Sequence, residues 1–138
     1  MERIYSTTDP ECLLLAIKRL NEVTEKRQDL SPPAEYLQCA VKKLSEGQNF
    51  VAHKHDELYR ETHITQEAWV VVRGTIQARF YDLDNSLVLE TLLTSGDCAI
   101  VFRAGHGFTV IEENTLLYEF KTGPYYGPEK DKTYIEKG

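Results

Sequence analysis

Along this chain, runs rich in Val, Ile, Leu, Phe and Tyr alternate with short polar punctuation, and the spacing is that of extended strands rather than helices. Turn formers stand at fairly regular intervals: Ser31-Pro32-Pro33, Glu46-Gly47, Arg73-Gly74, Asp84-Asn85, Ser95-Gly96, Ala104-Gly105, Glu113-Asn114 and Gly123-Pro124. Between them the pattern predicts strands near Leu13 to Leu20, Tyr36 to Leu44, Phe50 to His55, Glu67 to Arg73, Ile76 to Asp82, Leu87 to Leu93, Cys98 to Phe102, Phe108 to Glu112 and Leu116 to Lys121. An all-β fold follows. Leu13, Ala16, Ile17 and Leu20 also fall at helical spacing, so Glu11 to Gln28 reads either as strand or as a short amphipathic helix. The polar stretch Asp56 to Thr65 reads as a loop. The tail from Gly123, rich in Gly, Pro and Tyr, is built from residues that end strands and is expected to lie across the surface.

Length adds that the strands belong to one unit. At 138 residues, 41% apolar and 28% charged, the chain is expected to fold as a single domain, 1–138, with its own core. Its net charge of −6 argues against a nucleic acid or anionic membrane recognised through bulk charge, and the expected partner is a small molecule. Cys12, Cys39 and Cys98 are odd in number and form no C-x-x-C pair, which fits buried thiols in a reducing compartment. The N-terminus lacks a signal-peptide profile and the longest strongly apolar run, Cys12 to Ile17, is far too short to cross a bilayer. A cytoplasmic protein is expected.

Candidate chemistry enters with the histidines. His53-Lys54-His55 lies in one of the predicted strands, where residues i and i+2 share a face, so two imidazoles are aimed at one point. Farther on, Gln66-Glu67-Ala68-Trp69 puts a carboxylate at the head of a strand that ends in Gly74, and His106 arrives after the Gly96-Asp97 turn. Arg60, Arg73, Arg79 and Arg103 read as solvated charges at strand ends or as forks for an anion. In the last strand either Tyr118 with Phe120, or Glu119 with Lys121, faces inward; the pattern leaves both open.

Taken in order, these positions resemble the motifs of the cupin superfamily. Gly47, five residues, His53, His55, then Glu67, six residues and Gly74 follow the first motif, with a gap of eleven residues before Glu67 that is longer than the family's. Gly96, Asp97 and His106 follow the second, with Phe102 in the place of its proline and His106 directly after Gly105. The resemblance spans roughly residues 36–121, leaving 122–138 as a C-terminal tail, and implies a single cupin jelly-roll barrel (a double-stranded β-helix) with extra N-terminal strands or a short helix.

That resemblance implies that His53, His55, Glu67 and His106 bind a divalent transition metal, Fe, Mn, Ni, Co or Zn, which the ligand types do not distinguish. Glu57, Glu61 and His63 are rivals for a ligand place, and Glu67 is preferred because it keeps the spacing to Gly74. The insert would act as a lid, with Arg60 and His63 meeting the substrate beside Glu67. The stretches 66–71 and 121–125 are also similar to short cupins associated with surface-polysaccharide biosynthesis. The function expected is metal-assisted isomerisation or epimerisation of a sugar, sugar nucleotide or other carbonyl- or hydroxyl-rich compound. Oxygenation at the same metal and non-catalytic ligand binding are the alternatives, and a homodimer is expected.

Overall fold

The computed structural model describes residues 1–135. Ten strands and one short helix follow one another as β1 (Glu2–Tyr5), β2 (Leu13–Lys18), β3 (Arg27–Asp29), β4 (Ala40–Lys42), β5 (Glu67–Arg73), β6 (Thr75–Tyr81), β7 (Leu87–Thr94), β8 (Cys98–Val101), β9 (Gly105–Val110), β10 (Leu116–Lys121) and α1 (Pro128–Asp131). They make three antiparallel sheets: five strands in the order β1-β2-β8-β5-β10, three in the order β7-β6-β9, and the two-stranded hairpin β3-β4. The chain is therefore all-β, as its alternation predicts.

Burial patterns explain the layering. β6 alternates strictly, burying Ile76, Ala78 and Phe80 and turning its other face to solvent, as a strand with one wet face must. β2 and β8 are buried along their whole length, which requires cover on both faces. One cover is the three-stranded sheet: Leu15, Ile17, Trp69, Val71 and Val101 meet Ile76, Ala78, Phe80 and Leu93. The other is the hairpin, where Leu30, Leu37, Cys39 and Val41 pack on Ala68, Cys98, Ile100 and Phe102. Each buried Leu, Ile, Phe or Val contributes on the order of 1.5–3 kcal/mol.

Turns stop the strands where glycine permits. Gly74 and Gly96 take φ of 85° and 86°, and a Cβ at Gly74 would meet the backbone of Thr115. Any larger residue there would be both strained and obstructed.

Of its two readings, the Glu11 to Gln28 segment takes the strand, β2, with a single 3-10 turn at Leu20–Glu22 after it. Other expectations are corrected. The strand expected over Tyr36 to Leu44 shrinks to β4, and Phe50 to His55 has no strand, since residues 43–66 hold no regular element. Among the described residues the sheets remain separate and no closed barrel forms. β9 pairs only with β6, so its outer edge is open where a closed barrel would continue. The tail crosses the surface with Tyr125 and Tyr126 exposed, and Ile135 lies against Gly105; residues 136–138 lie outside the described residues.

Candidate functional site

Two sheets meet around one carboxylate. Glu67 opens β5 on the face turned towards the three-stranded sheet, and it is buried, 6% exposed. Trp69 stands two positions along the pleat from Glu67, on the same face, and its indole Nε1–H donates to Glu67 Oε1 at 2.5 Å. Antiparallel register places Lys121, the last residue of β10, directly opposite Glu67, with its Nζ 3.4 Å from Oε2. From the other sheet, β9 delivers His106, whose Nε2 lies 3.6 Å from Glu67 Oε1. The His106 ring stands edge-on to Trp69, centroids 5.3 Å apart, and Phe108 approaches the same indole at 5.1 Å.

His106 has a defined tautomer by the logic of its neighbours. Its Nδ1 lies 3.1 Å from the carbonyl of Ala104, an acceptor only, so Nδ1 carries a hydrogen and donates it. Nε2 is left to face Glu67. At 3.6 Å this is longer than a good hydrogen bond, and the attraction to the carboxylate is full only when the imidazole carries its second proton. Burial alone would push the Glu67 carboxyl up; His106, the Trp69 N–H and the Lys121 ammonium outweigh it and hold the group at about 2. Burial likewise lowers the affinity of His106 for a proton, but Glu67 and the Ala104 carbonyl reverse that, and the imidazole is raised above its ordinary value.

Glu67, Trp69, His106 and Phe108 line a cleft of about 600 Å³, within the size range of small-molecule sites. Trp69, Phe108 and Tyr81 give it aromatic walls, Arg79, Thr65 and Thr109 give it polar ones, and the tail residues Asp131 to Ile135 form one side. Thr65 donates to Asp131 Oδ1 at 2.8 Å and so ties the tail to the start of β5.

No family model, curated protein or solved structure matches the chain. The residues themselves must therefore carry the functional argument. Of the four proposed metal ligands, the fold brings Glu67 and His106 together. His53 and His55 stand on the exposed 43–66 segment with ring centroids 5.4 Å apart, close to one another. Arg60, expected as a catalytic residue, is exposed and donates to the Leu58 carbonyl at 3.3 Å. His63, expected beside it, is exposed too and lies 3.8 Å from Glu61. Neither Arg60 nor His63 is among the described residues lining the cleft. Glu57 is exposed on the same segment.

As folded, the four proposed ligands are not gathered around one point. Glu67 Oε1 already accepts from Trp69 and Oε2 faces Lys121. Among the described residues, no three of His, Cys, Asp and Glu gather to hold a cation.

Sequence reasoning did not identify Trp69 as a donor to Glu67, nor Lys121 as its counter-charge. Residue parity supplied part of the signal, since Trp69 shares a face with Glu67. The pairing of β10 with β5 had to be known before Glu119 and Lys121 could be turned inward and Tyr118 and Phe120 outward.

Proposed function

We propose that this cleft is a small-molecule active site in which His106 moves a proton beside a carbonyl of a hydroxyl-rich substrate, and that the reaction is isomerisation or epimerisation of a sugar or sugar derivative. One observation carries the reading: an imidazole and a buried carboxylate from opposite sheets face each other at 3.6 Å inside a 600 Å³ cleft.

Geometry divides the roles. The Glu67 side chain is 8% exposed and both its oxygens are engaged, whereas that of His106 is 30% exposed and its Nε2, 3.6 Å from Glu67, makes no short hydrogen bond. His106 is the group placed to reach a substrate. Glu67 is the positioning residue: it faces the same Nε2 at 3.6 Å and balances the imidazolium that forms after proton uptake, while the Ala104 carbonyl, at Nδ1, fixes the ring. Arg79, Thr65 and Thr109 offer hydrogen bonds to hydroxyls or to a carbonyl oxygen.

The test is hydrogen exchange in deuterium oxide with a panel of keto sugars and nucleotide sugars. The wild type should introduce deuterium next to the carbonyl of at least one substrate. His106→Asn should slow this by about 100-fold or more, the usual worth of a positioned acid or base. Glu67→Gln should slow it less and shift its pH profile. Absence of exchange across the panel, or exchange indifferent to His106→Asn, would end the proposal.

A second reading is favoured by the open edge of β9. A strand formed by residues 50–55 and added there would carry His53 and His55, with the two-residue period of a strand, to the sheet that holds His106. That arrangement would reassemble the cupin ligand set for a divalent transition metal. It predicts that manganese or zinc raises the melting temperature of the wild type and not of a His53→Ala, His55→Ala variant. Equal responses of the two proteins would remove it.

A further inference from the structure

Cover on the outer face of the five-stranded sheet is uneven. The hairpin packs Leu37, Cys39 and Val41 over the middle strands and leaves the β10 side bare. There Val72, Tyr118 and Phe120 are 44%, 61% and 52% exposed. Tyr118 and Phe120 sit side by side, ring centroids 6.3 Å apart, because Tyr118 pairs with Val70 and Phe120 with Ala68. β10 is also the last strand of its sheet. Thr122 donates its amide inward to the Gln66 carbonyl at 3.0 Å, so the alternating backbone leaves the amides and carbonyls of Glu119 and Lys121 pointing outward. An unpaired edge beside exposed aromatics is a template for another strand. The opposite edge, β1, is only four residues long and carries exposed Glu2 and Arg3, which blunt it.

We propose that this edge is a twofold interface, in which β10 pairs antiparallel with β10 of a second copy about an axis through Phe120, making one sheet that runs across both protomers. A twofold axis perpendicular to the sheet keeps each face on its own side, so it must pass through a residue. Charge then selects which one. An axis through Glu119 sets this residue against the partner's Glu119, and directly opposed like charges destabilise a strand pair. An axis through Tyr118 leaves Glu119 facing the partner's Leu117. An axis through Phe120 places Glu119 opposite the partner's Lys121 and Lys121 opposite the partner's Glu119, while the two Phe120 rings meet on the outer face. Four outward backbone hydrogen bonds follow from residues 119 and 121 of the two strands.

The proposal does not rest on the catalytic reading, although Lys121 also faces Glu67 and Glu119 of its own chain and Glu119 lines the cleft, and its test reads mass alone. Light scattering across a concentration series should give twice the 15.9 kDa chain at high concentration, dissociating on dilution. Phe120→Arg touches neither the cleft nor the charge pair and should remain folded, by circular dichroism, at the mass of one chain. Glu119→Lys alone and Lys121→Glu alone should each weaken association by about tenfold, as two attractive pairs become repulsive. The double variant Glu119→Lys, Lys121→Glu should restore it, since this register exchanges the two charges. A wild type monomeric at every concentration would overturn the interface, as would a Phe120→Arg variant that still dimerises. A double variant no tighter than the singles would overturn the register.

Discussion

Two stretches of this chain carry histidines spaced for joint action, and they are built in opposite ways. His106 stands on a regular strand, with its ring against a buried indole and one nitrogen committed to a carbonyl, facing a carboxylate that is itself held by two further donors. His53 and His55 stand on the 43–66 segment, where Phe50, Val51, Leu58 and Tyr59 are exposed and no strand or helix forms. A loop of that length without structure is uncommon inside a compact domain, and when present it tends to be functional. The difference teaches that spacing alone does not make a site. A pair of imidazoles becomes chemically directed when packing removes their freedom to turn, because ordering a side chain at the moment of reaction would otherwise add to the barrier.

The sharpest way to break the comparison is to remove the residue that organises the ordered half. Trp69 is 2% exposed, stacks on Phe80 with centroids 6.0 Å apart, and supports both His106 and Phe108. Trp69→Ala should cost about 4 kcal/mol in chemical denaturation, the usual range for emptying a buried indole site. Trp69→Phe should retain most of that stability while removing the Nε1–H donor from Glu67. If Trp69→Ala costs less than about 1 kcal/mol, the cleft wall is not part of the core and the ordered half is ordered by something else.

Much of that half was legible in residue order. β5 and β10 have the boundaries that their alternation and flanking turns predict, because period and turn chemistry are local properties. Glu67 was legible as the head of β5. Its counter-charge was not, because Lys121 reaches Glu67 only through the register of β10 on β5, and strand parity leaves both faces open until a neighbour is assigned. The 43–66 segment failed for the complementary reason. Phe50 to His55 has strand-like composition, but a strand is stabilised by a partner edge, and the pattern along one segment does not say whether such an edge is taken. His53 and His55 thus had the most legible motif and the least determined placement.

A middle-sized effect should come from the Gly96-Asp97 turn, which matched a motif of a binding site and serves here as a brace. Asp97 is 5% exposed and accepts from the amides of Leu20 and Thr94, each at 3.0 Å, and from Arg19 Nη1 at 3.1 Å. Burial would push its carboxyl up, yet these donors prevail and hold it below the ordinary 3.8. A depressed carboxylate stabilises the fold above its unfolded pKa, and that contribution is lost as pH falls through the depressed value. Asp97→Asn should cost about 2 kcal/mol at neutral pH, typical of charge-assisted hydrogen bonds. It should also flatten the acid limb of stability against pH. A variant as acid-sensitive as the wild type would mean that other carboxylates set that limb.

The smallest effect should come from the exposed half. In metal-free buffer, His53→Ala with His55→Ala should change unfolding free energy by less than about 0.5 kcal/mol, as substitutions away from packed features do. The His53 Nδ1 lies 3.0 Å from the Val51 carbonyl and the two imidazoles stand edge to face, centroids 5.4 Å apart, on an exposed segment. A larger loss without metal would mean that residues 50–55 are docked in solution, and β9 is the edge with room for them. The same double variant therefore tells a free segment from a docked one before any ligand is added. It makes the contrast between the two histidine groups a measurable difference in stability, with His106→Ala as the buried counterpart that should cost more.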